Sequence, residues 1–315
     1  MPDMPTDIVY TWVDDTWPGY ADTLARYAAT GHDLNPNRTR DNLDLLKYSM
    51  RSLVHCPWVR RVYLVTASPQ IPRWLNPNAE GLSVIHHDAI LEPRFLPTFN
   101  SFAILSALYR LEGLSDRFVY VEDDMLFGRP VTMADFLTED GKVRLFPRLR
   151  FAQPPAAADR ADLSPWNRSL AYSNALLDGA FAPARRREVN HVPLLIDKRW
   201  WAQMCDRWAG DFEHTRASRF RASRNVVPEY LYPWFLYYTG RGAMMTPART
   251  LADSAYVPLE NTPFITALAL WRAGALHPKF IALNDGFGAH PRKGVERAAR
   301  HWLERAFPVR SRFEL

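Results

Sequence analysis

Residues Phe118 to Gly128 read FVYVEDDMLFG: an apolar run, three consecutive carboxylates at Glu122, Asp123 and Asp124, and a return to apolar residues. Three adjacent acids repel one another, and an ionised carboxylate buried without a partner is costly. A positive partner belongs there. On an extended chain Glu122 and Asp124 share one face while Asp123 points to the other, unless the backbone turns. A divalent cation with oxygen ligands accounts for such a pair, since Mg2+ takes one or two carboxylates and leaves other positions to substrate phosphates. A solvated loop or helix-capping acids are the plainer alternative. A second acid pair, Asp14-Asp15, ends another apolar run, DIVYTWV. The adjacent His86-His87, followed by Asp88, lack the spacing of a metal site. GFGAHPRKG lacks the glycine spacing and early position of a dinucleotide loop.

The elements that must position these acids alternate. DIVYTWV (7 to 13) is β-branched and aromatic, the pattern of a buried strand. TRDNLDLLKYSMRSLVHCP follows, with Leu43, Leu46, Met50, Leu53 and Val54 on one helical face, Asp41 placed to cap it and Pro57 just past its end. VYLVT (62 to 66) and LSVIHH (82 to 87) read as the second and third strands. FNSFAILSALYRLEGL reads as a helix capped at Asn100 or Ser101 and stopped by Gly113, and FVYV (118 to 121) as the fourth strand. Strands alternating with helices define an α/β fold with a mostly parallel, Rossmann-like sheet and helices on both faces. Ligands in such folds sit beyond the carboxyl ends of the strands, where both acid clusters fall.

The chain has 315 residues, 47% hydrophobic and 23% charged, the composition of a globular α/β chain. FAQPPAAADRADLSPW (151 to 166) reads as a Pro/Ala-rich loop inside a single catalytic domain of residues 1–315. It divides residues 1–150 from a helix-rich half, 151–315, that includes LLIDKRWWAQMCDRW and PEYLYPWFLYY as helices. The formal net charge is +5, with five lysines against 34 arginines, which a GC-rich genome explains as well as phosphate recognition does. The longest basic run is RRR at 185 to 187, so no nucleic-acid stripe is present. Cys56 and Cys205 carry no disulfide architecture. No run reaches the roughly 18 apolar residues of a membrane helix, and MPDMPTDIVYTWV lacks signal-peptide features. A cytoplasmic protein, at most peripheral to the inner face of a membrane, is the expectation. The basic amphipathic GVERAARHWLERAF is read as packing on the domain, with contact to anionic lipid as its alternative.

DIVYTWVDD, RDNLDLLKYSMRSLVHCPWVRRVYLVT, QIPRWLN and LPTFNSFAILSALYRLEGLSDRFVYVEDDMLFG resemble the first two signature regions of the Stealth family. HVPLLIDKRWW (191 to 201) resembles the third and LNDGFG (283 to 288) the fourth, so the resemblance runs from Asp7 to Gly288. Those proteins are sugar-1-phosphate transferases, among them bacterial capsule and exopolysaccharide phosphotransferases and the α/β subunit of the lysosomal-enzyme GlcNAc-1-phosphotransferase. The family often carries Asn before its two aspartates, where this chain has Glu122; whether Glu122 joins a metal shell is left to the structure.

The resemblance implies a GT-A-like version of the fold and transfer of a hexose-1-phosphate from a UDP-sugar to a hydroxyl of a glycan acceptor, with UMP released. Such phosphoryl transfer needs charge neutralisation, in-line positioning and a proton acceptor. It implies Mg2+ or Mn2+ on Asp123 and Asp124, charge stabilisation by Arg224, and His191 as the base, with Asp285 as its stand-in. Trp12, Val13 and Asp14 are placed to meet uracil and ribose, and Arg40, Asp41 and Asn42 open a helix whose N-terminus favours anions. Asn100 is expected at another helix start facing the same crevice, and Asn284 beside Asp285 to orient donor or water. A metal-dependent glycosyltransferase releasing UDP and a non-catalytic carbohydrate-binding protein are the competing readings.

Overall fold

The computed structural model describes residues 5–29, 31 and 40–315. Its first half runs β1 (Thr6–Trp12), α1 (Tyr20–Tyr27), α2 (Leu45–Ser52), β2 (Val59–Thr66), β3 (Leu82–His86), α3 (Ser101–Ala107), β4 (Arg117–Glu122), β5 (Met125–Phe127), β6 (Val143–Leu145) and β7 (Pro147–Phe151). Then come α4 (Pro165–Ala180), β8 (Arg187–Val189), β9 (Leu194–Asp197), α5 (Lys198–Arg207), α6 (Ala209–Ala217) and α7 (Pro228–Tyr238). β10 (Gly242–Met244), α8 (Pro247–Asp253), β11 (Ser254–Leu259), α9 (Pro263–Leu276), β12 (Phe280–Asp285) and α10 (Lys293–Ala306) complete it.

The central sheet has the order β3-β2-β1-β4-β9. Its first four strands are parallel and are the four read from the sequence, so the mostly parallel α/β fold holds. Their residues, such as Ile8, Val9, Val62, Leu64, Val119 and Val121, are fully buried, as strands covered on both faces require. The register sets Thr11 beside Glu122 and Trp12 beside Thr66, so β1, β2 and β4 end together and deliver their next residues to one place.

β9 is the antiparallel edge, pairing Tyr120 with Leu194 and Arg117 with Asp197. This corrects the reading of LLIDKRWWAQMCDRW as one helix. LLID extends along β4, and Asp197 ends it by accepting the backbone N–H groups of Arg199 and Trp200, so the helix begins only at Lys198. A second correction concerns Val54, which is 73% exposed. α2 ends at Ser52 and passes into a 3-10 turn, Leu53–His55, whose three-residue repeat rotates Val54 off the apolar stripe.

A smaller sheet, β11-β12-β5, covers the far side of α2. α10 buries Val295, Ala299 and Leu303 in the core beneath it, so the C-terminal helix packs on the domain. No helix among the described residues is long and apolar enough to cross a membrane.

Candidate active site

Glu122 is the last residue of β4, and Asp123 and Asp124 form the turn into β5. The turn leaves Glu122 and Asp124 on one side. Because β9 runs antiparallel to β4, the chain three residues before Leu194 returns beside the chain three residues after Tyr120. His191 therefore lands on the acids. Its Nε2 lies 2.9 and 3.1 Å from the two oxygens of Asp124, and its Nδ1 lies 3.7 Å from Glu122. Asn190 anchors the segment, donating its backbone N–H to Phe146 O at 2.7 Å and its amide to Ser254 Oγ at 2.7 Å.

Electrostatics follow from crowding. Burial lowers the His191 pKa, but Asp124 and Glu122 outweigh it and hold the imidazolium to about 9. Burial, with Asp124 close by, raises Glu122, and burial with Asp124, Asp41 and Glu122 raises Asp123 well above the usual carboxylate range. Negative charge is thus in excess of what His191 compensates. Ligand atoms of Glu122, Asp124 and His191 all lie within 4.8 Å of one another, a donor set that suits a divalent cation. Glu122, whose place in a metal shell the sequence left undecided, stands in this trio beside Asp124.

These groups line a cavity of about 510 Å3 that also takes in Trp12, Val13, Arg40, Asp41, Asn284 and Asp285. At its β1 end, Asp41 receives Trp12 Nε1 at 3.2 Å and the Leu45 backbone N–H at 2.8 Å. It therefore holds the first N–H of α2 while facing the cavity, although the helix opens at Leu45 behind Asp44 and not at Arg40 to Asn42 as expected, and burial raises its pKa to about 6. Arg40 is fixed by a bidentate pair with Asp15, at 2.5 and 2.8 Å. Asp285 accepts the Asn42 amide at 3.0 Å and the Phe287 N–H at 3.0 Å. Asn42 acts as a clamp on Asp285 rather than as part of the cavity wall.

Three further expected residues stand elsewhere. Asp14 is spent on a local turn, accepting the Thr16 N–H at 2.9 Å and hydroxyl at 2.6 Å, and is not in the cavity wall. Asn100 does cap α3 but is fully buried, its amide bonded to Ser218 O at 3.0 Å and Asn225 Oδ1 at 2.9 Å. It ties α3 to the segment after α6. Arg224 is exposed, and the arginine of this segment that reaches the cavity is Arg221, joining Arg40, Arg144 and Arg148 in its lining. Phe220 stacks on Phe99 with centroids 5.0 Å apart, and Phe99 N–H bonds Arg219 O at 2.8 Å, which pins the chain so that its next residue points inward. The Arg221 guanidinium bonds Ser101 Oγ at 2.6 Å, while its Nε has no partner among the described residues. Burial lowers its pKa, opposed by Glu229 and Glu122. Glu229, at the start of α7, completes this wall, raised to about 7 by burial and then by Glu122.

Sequence reasoning missed Arg221 and Glu229. The only signal was the pair of arginines three apart in FRASRN, and nothing in the sequence says which of the two is pinned by a stacked phenylalanine.

Fold and site together define a mostly parallel α/β protein with an acidic, cation-competent cavity at the carboxyl ends of its strands. The chain belongs to the Stealth family: residues 38–145 match Stealth protein CR2, conserved region 2, and residues 190–238 match Stealth protein CR3, conserved region 3. It is 36% identical over 245 residues to the exopolysaccharide phosphotransferase SCO6023 of Streptomyces coelicolor, covering 75% of this chain and 41% of that protein. The chain thus spans less than half the length of that relative. It is 28% identical to the capsular polysaccharide phosphotransferase LcbA of Aeromonas hydrophila, over 90% of this chain and 79% of that one. Among solved structures, the galactosyltransferase LgtC in complex with donor and acceptor sugar analogs aligns over 96% of both chains, with 12% identity and a TM-score of 0.44.

Proposed function

We propose that this chain transfers a hexose-1-phosphate, such as N-acetylglucosamine-1-phosphate, from a UDP-sugar to a hydroxyl of a glycan acceptor, releasing UMP, in exopolysaccharide or capsule synthesis. The observation that carries this reading is His191 held on Asp124 and Glu122 in the cavity that also contains Arg221, Trp12 and Asp41. Membership of a family with phosphotransferases named for exopolysaccharide and capsule supports it.

The acceptor oxygen attacks the phosphorus that bears the sugar, the bond from that phosphorus to the UMP oxygen breaks, and the acceptor's proton goes to the protein. Mg2+ or Mn2+ held by Asp124 and Glu122 would neutralise charge on the diphosphate, while Asp123, expected from the sequence as a ligand, stands outside the trio those two form with His191. Arg221 takes the role expected of Arg224, its unpartnered Nε offering a donor to the developing phosphate charge. Trp12 and Val13 receive the nucleotide, Arg40 and Asp41 face its ribose and phosphates, and Asn284 and Asp285 position the donor from β12. In this scheme residues 1–150 supply the nucleotide wall, and 151–315 bring the base and the arginine into the same catalytic domain.

His191 is a proton acceptor only when Asp124 and Glu122 are neutralised. The two carboxylates raise the imidazole to about 9 and burial opposes them, so a cation that cancelled their charge would shift His191 toward its neutral, proton-accepting form. The test is product analysis with a UDP-sugar, an acceptor glycan and Mg2+ or Mn2+. UMP supports the proposal, UDP indicates a transferase that moves only the sugar, and no turnover with or without metal indicates a carbohydrate-binding protein.

A further inference from the structure

The helix α9 is apolar almost all round. Its inner face buries Thr266, Leu270 and Ala273, yet its outer face leaves Phe264 77%, Trp271 67% and Leu276 62% exposed, with Ile265 and Leu268 at 45% each. At about 100° per residue these five side chains fall within an arc of roughly 140°, opposite the buried one. They run the length of the helix, so the stripe is continuous rather than a single exposed residue, which would need no explanation. One charge, Arg272, lies within it, long enough to carry its guanidinium out of an apolar layer.

The size of the face decides what covers it. A helix of 14 residues is about 21 Å long and about 10 Å across, so it offers a few hundred Å2. A stable protein pair needs about 800 Å2 from each partner. One helix face is too small for a second copy of the chain, but it matches a helix lying in the plane of a lipid surface. Its surroundings agree. α10 packs against α9, with Trp302 against Gly274, and carries exposed Lys293, Arg297 and Arg305 with Glu304 as the exposed acid among them. Aromatic and aliphatic side chains flanked by basic ones are the composition of an interfacial helix on anionic lipid.

We infer that α9 is a membrane-docking helix, with its apolar face in the acyl boundary of an anionic bilayer and α10 supplying the basic flank. The sequence offered such a contact on α10 only as the alternative to packing on the domain; α10 does spend its apolar face on the core, and the exposed apolar face belongs to α9. α9 is also close to the cavity. Asn261, just before it, bonds Phe287 O at 3.0 Å and the Arg292 N–H at 2.7 Å, and so joins the helix to the loop that follows Asp285.

The inference does not depend on the proposed reaction, because it is read without turnover. Flotation of this chain with vesicles of equal parts phosphatidylglycerol and phosphatidylcholine should show binding that Phe264→Glu and Trp271→Glu each lower by about tenfold or more. Lys293→Glu with Arg297→Glu should lower binding to those vesicles and leave the weaker binding to pure phosphatidylcholine unchanged. If a variant folds poorly, quenching of wild-type tryptophan fluorescence by brominated lipid, lost in Trp271→Phe, reads the same contact. Vesicle binding that is absent, or unaffected by both α9 variants, overturns the inference. So does a dimer in solution that Phe264→Glu converts to monomer, which would give the face to a second copy.

Discussion

Asp124→Asn keeps the shape of the side chain that receives His191 and removes its charge. With divalent ions chelated, the Asp124 and Glu122 carboxylates raise the imidazole from 6.5 to about 9 against the opposing effect of burial. At 1.36 kcal/mol per pKa unit that rise corresponds to roughly 3 kcal/mol. A histidine raised in the folded state contributes its stabilisation fully below its unfolded value near 6.5 and loses it as pH climbs through 9. In EDTA, the wild-type free energy of unfolding in urea should therefore fall by up to ~3 kcal/mol across that window more than that of His191→Asn. The direct assay is NMR titration of the imidazole, assigned by its absence in His191→Asn. Wild-type His191 should titrate near 9 in EDTA and lower on adding Mg2+, and Asp124→Asn should bring it down without metal. A wild-type His191 that titrates at or below 6.5 in EDTA, or one indifferent to Asp124→Asn, refutes the charge coupling on which its role as a metal-dependent base stands.

Arg221→Ala should lower kcat by about 10^2- to 10^3-fold, while the exposed Arg224→Ala stays within about twofold; the opposite order would return the role to Arg224. His87 is buried and its pKa lowered to about 4 by burial, so the stability it secures is complete above 6.5 and is lost as pH falls toward 4. That loss amounts to roughly 3 kcal/mol in wild type and should be missing in His87→Gln, as urea melts at several pH values would show. Asn100→Ala, which removes the cap of α3 and the tie to Ser218 and Asn225, should cost about 2–4 kcal/mol in chemical denaturation without changing the donor KM of the protein that remains folded.

The central strands were legible because each is a short β-branched or aromatic run ended by polar residues, and the pattern of DIVYTWV or FVYV has no competing helical reading. The acids at 122 to 124 could be placed at the mouth of the sheet for the same reason. β9 was not legible: LLID is too short for periodicity to decide, and the aromatic helix that follows absorbed it. That miss did not displace His191, whose position rests on antiparallel pairing with β4. Asn100 and Asp14 show the limit of reasoning from an element's end. Each sits at a terminus beside the crevice, yet the amide of one and the carboxylate of the other are consumed by neighbours that only tertiary contacts reveal. The choice between Arg221 and Arg224 rested on the stacking of Phe220 on Phe99, more than a hundred residues away in sequence.

The fate of the donor's β-phosphorus tests the central claim most directly. With a UDP-sugar labelled at that atom, an acceptor glycan and Mg2+ or Mn2+, the label should enter the acceptor in a phosphodiester while unlabelled UMP is released. Asp124→Ala should abolish this, and EDTA should do so reversibly. Label retained in UDP, with sugar alone on the acceptor, would contradict the account.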